Sequence, residues 1–216
     1  LQSAIFDMDG TLLDSMPTWR ELGPTFLKEE GIPTTPEQEK LLRTLSDHQV
    51  IPYLREKCGL PWSEQEVVDQ IVERMETFYS TAVRPKPGVE KFLSILKMEG
   101  VWMYVATATH RRLTEKALKT AGIDHYFRGI VTSADAGSHK SESAEIYEMA
   151  MRRMQSNKQD TVVFEDVLYA IRTAKAAGFR VAGVYDSMSE ADQPEIQRLS
   201  DYYIRSYEEL VQSETL

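Results

Sequence analysis

Ala4-Ile5-Phe6-Asp7-Met8-Asp9-Gly10-Thr11-Leu12-Leu13-Asp14-Ser15 opens with a short apolar run, Ala4 to Phe6, that reads as a buried strand. The run passes straight into two carboxylates and a glycine. Asp7 and Asp9 are two apart, so on an extended backbone they project to the same side. Gly10 lets the chain leave the strand at dihedrals that other residues resist. A carboxylate pair at the end of a buried strand is costly unless a cation or a reaction requires it. Asp-x-Asp-Gly alone also suits a turn that closes a strand, because Asp and Gly dominate turns.

Downstream, Met16-Pro17 reads as a break, followed by an amphipathic helix from Thr18 to Glu30 carrying Trp19, Leu22, Phe26 and Leu27. Thr35-Pro36-Glu37-Gln38 and Ser63-Glu64-Gln65-Glu66 are helix starts of the capping-box kind. They open helices reaching about Leu45 and Ala82, with another over Asp47 to Cys58 between them. Residues 17–83 thus read as four helices without a strand. Arg84-Pro85-Lys86-Pro87-Gly88 is a stiff junction. Beyond it, helices and strands alternate: helices 89–98, 112–121, 142–154 and 168–177, strands 101–106, 129–131, 161–164 and 181–184. A short helix near 194–199 and a strand at 202–204 close the pattern. Such alternation predicts an α/β fold, a Rossmann-like parallel sheet with helices on both faces. The first strand belongs with that half. The expected organisation is a catalytic core of residues 1–15 and 85–216 with an inserted α-helical cap of residues 16–84.

The chain of 216 residues, 42% hydrophobic and 27% charged, has the composition of an ordinary globular protein. Its net charge of −9 argues against nucleic acid as a partner, since binding a phosphate backbone wants a basic face. No apolar run approaches the roughly 20 residues of a membrane span. The Leu-Gln-Ser-Ala start lacks the basic-then-apolar order of a signal peptide. Cys58 is the only cysteine, which fits a reducing cytoplasm and a packing role. A monomer is the default expectation.

In open parallel sheets, ligands bind beyond the carboxyl ends of the strands. After strand 101–106 stand Thr107-Ala108-Thr109, where a hydroxyl and backbone N–H groups near a helix start could cradle a phosphate. Equally, Thr107 or Thr109 could simply cap that helix. After strand 129–131 a loop carries His139 and Lys140. After strand 161–164 come Glu165 and Asp166.

Asp7-Met8-Asp9-Gly10-Thr11-Leu12-Leu13-Asp14-Ser15 resembles the first motif of the haloacid dehalogenase superfamily of phosphatases and phosphomutases, and three further motifs follow in order. Thr107 occupies the place of the second motif, a strand ending in Thr or Ser. Lys140 with Tyr147 resembles the third, a Lys followed by an aromatic residue. Here both of the family's prolines are replaced, by Ser141 and Ser143, and the spacing is one residue longer. Glu165-Asp166 with the alanine-rich run to Gly178 resembles the fourth, with Val167 where the family usually has Ser.

The resemblance implies a phosphatase that hydrolyses a small phosphorylated metabolite, a phosphate monoester, with Mg²⁺ as cofactor. Asp7 would be the nucleophile, forming an aspartyl-phosphate, and Asp9 the acid and base. Asp7, Asp166 and the Asp9 backbone carbonyl would ligate Mg²⁺, with Glu165 in support. Thr107, the Ala108 N–H and Lys140 would hold the phosphoryl oxygens. Ser15, Trp19 and Asp47 are the candidates for cap contacts and specificity.

Two other functions fit parts of the pattern. A phosphoacceptor signalling domain or an inactive phosphate-binding relative would lack the 17–83 insertion or have lost Asp7 or Asp9. A phosphomutase of the β-phosphoglucomutase kind must grip a second phosphate, which the mutases do with an arginine in a Gly-x-Ser-Arg cap turn. Thr44-Leu45-Ser46-Asp47 aligns there, Trp19 stands where the mutases have a cap His, and Met75 where they have a cap Lys. An Asp repels the phosphate that a bidentate Arg would hold.

Overall fold

In the computed structural model, residues 1–45 and 47–212 are described, with the side chains of 47 and 48 set aside. Strand β1 (Ser3–Phe6) is followed by four helices, α1 (Met16–Glu29), α2 (Pro36–Leu42), α3 (Asp47–Glu56) and α4 (Glu64–Thr81). Then come α5 (Val89–Met98), β2 (Trp102–Thr107), α6 (Arg111–Thr120), β3 (Gly129–Thr132), α7 (Ser133–Ala136), α8 (Glu145–Arg153) and β4 (Thr161–Glu165). The chain closes with α9 (Leu168–Ala176), β5 (Arg180–Val184), α10 (Gln193–Leu199), β6 (Tyr202–Ile204) and α11 (Tyr207–Gln212). The strands form one parallel sheet in the order β3-β2-β1-β4-β5-β6, the Rossmann-like α/β architecture expected from the alternation.

Every residue of β1 is buried because helices cover the sheet on both sides. The pleat divides the core. Ala4, Phe6, Val105, Phe164 and Val184 share one cluster with Leu93 of α5, Ala117 of α6 and Tyr207 of α11. Ile5, Ala106, Val131, Val163 and Val181 share the other with Ile146 of α8, Ile171 of α9 and Ile196 of α10. Phe6 stacks on Phe164 with ring centroids 4.3 Å apart, tying the central strands together. Phe6 lies level with both Val105 and Phe164, so the residues that follow each strand emerge at one edge of the sheet.

The helical insertion leaves and rejoins the sheet through adjacent chain segments. Asp14 N–H donates to the Arg84 carbonyl at 2.9 Å, Lys86 N–H donates to the Leu12 carbonyl at 2.8 Å, and Leu13 bridges Pro85 antiparallel. Phe26, Leu27, Leu54, Met75 and Tyr79 are buried among the inserted helices. Cys58 packs, half-buried, against the same cluster.

Several boundaries differ from the sequence reading for local reasons. Pro17 does not break the chain: it sits in the first turn of α1, where its missing N–H costs nothing, and the helix begins at Met16. Both capping boxes form as read, but α2 ends at Leu42 and α3 at Glu56. Residues 139–143 turn on themselves, with Glu142 and Ser143 N–H both donating to the His139 carbonyl, so α8 starts only at Glu145. The short α7 follows β3 because Thr132 and Asp135 make a reciprocal cap, a Thr-x-x-Asp pattern that the sequence reading passed over. Helix α11 follows β6, beyond the strand at 202–204 where the alternation read from the sequence ends.

Candidate active site

The carboxyl edge of the sheet gathers Asp7, Glu165 and Asp166, whose oxygens include one from each residue lying within 4.8 Å of the others. Asp7 follows β1 and donates its backbone N–H to the Phe164 carbonyl at 3.0 Å, which fixes it beside the end of β4. Gly10 keeps the following loop close. Its φ is +81°, and a Cβ there would strike the Asp166 carboxylate, so a larger residue would be excluded on two grounds.

Lys140 lies buried in the middle of this cluster. Its ammonium donates to Asp7 Oδ1 and Glu165 Oε1, both at 2.6 Å. Tyr147 OH donates to Glu165 Oε1 at 2.6 Å. Burial opposes the Lys140 charge, but Asp7 and Glu165 outweigh it and hold the ammonium above its ordinary range. The lengthened spacing to Tyr147 thus still brings both side chains onto Glu165. His139 turns elsewhere: its Nδ1 lies 2.8 Å from Ser141 Oγ and its ring 5.4 Å from that of Tyr169.

Lys140 bonds to two of the three acids, and two carboxylate oxygens remain bare. Glu165 Oε2 and Asp166 Oδ2 are buried with no hydrogen-bond partner among the described residues. Burial pushes Asp166 well above its ordinary range, with Asp7 and Glu165 adding to it. Burial likewise pushes Glu165 up to about 7, with Asp7 adding and Lys140 opposing. Three acids that each bring an oxygen within ligand distance of the others, two of them with a buried unpaired oxygen, are what a hard divalent cation takes. The donor set fits Mg²⁺. Thr11 Oγ1 donates to Asp166 Oδ1 at 2.8 Å, supplying from the first motif the hydroxyl that Val167 cannot.

Asp9 faces a different direction. Its side chain stands apart from the acidic cluster, which agrees with its carbonyl, and not its carboxylate, being the expected metal ligand. Ser15 Oγ donates to Oδ1 at 2.7 Å, Tyr79 OH to Oδ1 at 2.5 Å and Thr109 Oγ1 to Oδ2 at 2.7 Å. Burial pushes the Asp9 carboxyl up, the hydroxyl donors oppose it, and Asp7 adds a smaller upward push. Thr107 is buried, its Oγ1 accepting from the Thr109 N–H at 3.1 Å, and Ala108 beside it is exposed. Neither threonine caps α6. That position belongs to His110, whose Nδ1 accepts from the Arg112 N–H.

Trp19 joins the site through Tyr79, its Nε1–H donating to the phenol oxygen at 3.1 Å. Met75 is fully buried. The Asp47 side chain and Ser46 lie outside the described residues. Sequence reasoning missed Tyr79 because its spacing on α4 is that of a core position. The signal available was a tyrosine on a buried face, whose hydroxyl needs a partner. Thr109, a candidate for the cradle or the cap in the sequence, has its hydroxyl on Asp9 instead.

The sequence pattern of the haloacid dehalogenase-like hydrolases matches residues 4–184, and the chain belongs to that family. Within it the chain is a phosphatase-class hydrolase. It is 26% identical over 191 residues to the phosphorylated carbohydrates phosphatase of Thermotoga maritima, covering 88% of each chain. It is 26% identical over 185 residues to the fructose-1-phosphate phosphatase of Escherichia coli, covering 83% of this chain and 94% of that one. The crystal structure of CbbY from Rhodobacter sphaeroides in complex with phosphate superposes with a TM-score of 0.79 at 23% identity, over 97% of this chain and 96% of that one, and so shares the fold. Among the described residues no helix is long and apolar enough to cross a membrane.

Proposed function

We propose that the protein is a Mg²⁺-dependent phosphatase of a small phosphorylated sugar or related metabolite, working through an aspartyl-phosphate on Asp7. The observation that carries this is the pair of bare carboxylate oxygens on Glu165 and Asp166 beside an Asp7 already gripped by Lys140. The sugar class is suggested by the relatives named above. In this reading Asp7 and Asp166 hold the ion with the Asp9 carbonyl, Glu165 supports them, and the ion offsets the repulsion between a carboxylate nucleophile and a phosphate dianion.

An Asp7 oxygen bonds to phosphorus as the bond to the leaving oxygen breaks, and Asp9 gives that oxygen its proton. A water then attacks phosphorus, Asp9 takes the water's proton, and the bond to Asp7 breaks to release phosphate. Thr107, the Ala108 N–H and Lys140 hold the phosphoryl oxygens, where charge accumulates. Residues 16–84 act as a lid on the core of residues 1–15 and 85–216, hinged at residues 15–17 and 84–85, excluding water and choosing the substrate.

Metal binding is testable without turnover. Glu165 is raised from 4.5 to about 7, and Asp166 well above its usual value, so the folded metal-free protein keeps protons that the unfolded chain has released. The contribution of these acids to its stability therefore falls as pH rises from about 4.5 through about 7. The ion needs these acids deprotonated, so Mg²⁺ should raise the melting temperature, and more at about pH 8 than at about pH 6. No rise, or the same rise in Asp166→Asn, would sink the metal assignment.

Hydrolysis is favoured over the mutase reading by Met75, which is packed into the helical core and offers no cation. Trp19 likewise presents an indole N–H to Tyr79 and no charge. The deciding assay gives the enzyme β-glucose 1-phosphate with a catalytic amount of the 1,6-bisphosphate. Free phosphate should appear without glucose 6-phosphate accumulating. Glucose 6-phosphate outrunning phosphate would identify a mutase.

A further inference from the structure

Asp9 is held by hydroxyls from both sides of the cleft. Ser15 and the Tyr79 phenol both donate to Oδ1, and Thr109 donates to Oδ2. A carboxylate oxygen offers about two acceptor sites, so Oδ1 is saturated while Oδ2 keeps one open. Tyr79 is fully buried on α4, and its oxygen receives the Trp19 indole N–H from α1. Because an indole N–H only donates, the phenol's single proton is left for Asp9.

We propose that Tyr79 is a positioning residue for the hydrolysis: with Ser15 it saturates Asp9 Oδ1, leaving Oδ2 to pass the proton to the leaving oxygen. This rests on the reading of Asp9 as acid and base. In the first step the proton on Oδ2 moves to the leaving oxygen as its bond to phosphorus breaks, and Asp9 is left as a carboxylate. In the second, a proton of the attacking water moves to Oδ2 as the water oxygen bonds to phosphorus. Thr109 shares Oδ2 without filling it. Trp19 and Tyr79 both belong to the inserted helices, so the alignment exists only while those helices lie over the sheet. Glu76 of α4 helps to keep them there, pairing with Arg112 at 2.8 Å and Lys116 at 2.5 Å on α6.

A residue that aligns an acid matters most when the leaving group needs a proton. The test compares fructose 1-phosphate, which leaves as an alkoxide, with p-nitrophenyl phosphate, which leaves as a stabilised phenolate. Tyr79→Phe keeps the ring and removes only the hydroxyl. Its kcat on fructose 1-phosphate should fall about tenfold further than on p-nitrophenyl phosphate, with KM little changed. Trp19→Phe should show the same contrast more weakly, and decides the matter should Tyr79→Phe not fold. Asp9→Asn, run alongside, must show the contrast most strongly. If it does and the Tyr79 and Trp19 variants lose activity equally on both substrates, or change only KM, the positioning role is wrong. If Asp9→Asn shows no contrast either, it is the acid–base reading that fails.

Discussion

Asp7→Asn should leave no measurable turnover of any phosphate monoester while the protein stays folded. The amide is nearly the size of the carboxylate, so the packing of β1 against β2 and β4 is kept. What goes is the negative oxygen that would bond to phosphorus, and with it a ligand of the acidic cluster. Lys140 would keep an acceptor in the amide oxygen, but its only remaining ion-pair partner among the described residues would be Glu165. Turnover with p-nitrophenyl phosphate at saturating Mg²⁺ measures the effect. Retention of about a tenth of the wild-type rate would rule out a covalent role, because losing a covalent nucleophile costs orders of magnitude.

Lys140→Ala should be nearly as damaging, lowering kcat/KM by about 10²–10³-fold, the usual cost of losing one preorganised contact to developing charge. The structure adds a second consequence. With the ammonium gone, Asp7 and Glu165 face each other buried and uncompensated, an arrangement more destabilising than the loss of a surface pair. The metal-free variant should therefore melt below the wild type, and Mg²⁺ should recover part of the difference. His139→Ala is the comparison: its ring is turned toward Ser141 and Tyr169, and the variant should keep nearly full activity. Equal losses in both variants would mean that the loop as a whole, and not the ammonium, is what matters.

The sheet could be read from the sequence because each strand is a short apolar run, fully buried at β1 and β4, set between helices with periodic apolar faces. The acids could be read because they stand directly after those runs, where the register of a parallel sheet places them together. Lys140 was harder to see. It lies between two short helices, and only the family resemblance connected it to Asp7 across 133 positions of sequence. The surroundings of Asp9 could be read only in part, through Ser15 and Trp19. Tyr79 sits 70 positions away on a helix whose periodicity assigns it to the core, and that assignment is also right: it is buried, but its hydroxyl points at a carboxylate. Periodicity reports which face of a helix is covered, and says nothing of what the covering residue touches.

The place of β1 in the sheet has a consequence for synthesis. Strand β1 leaves the ribosome before the other strands of its sheet yet holds a central place in it, and Ser3 meets its partner Thr161 across 158 positions of sequence. Until β4 emerges that edge of β1 is bare, and the apolar Ala-Ile-Phe run has nothing to pair with on that side. The nascent chain can dock β2 and build its helices early, since those contacts are nearer in sequence. It cannot close the sheet, or bring Glu165 and Asp166 to Asp7, until β4 emerges. A ribosome stalled before Thr161 would carry a chain with an exposed strand edge and two of the three acids of its cluster missing, the kind of intermediate that holding chaperones recognise.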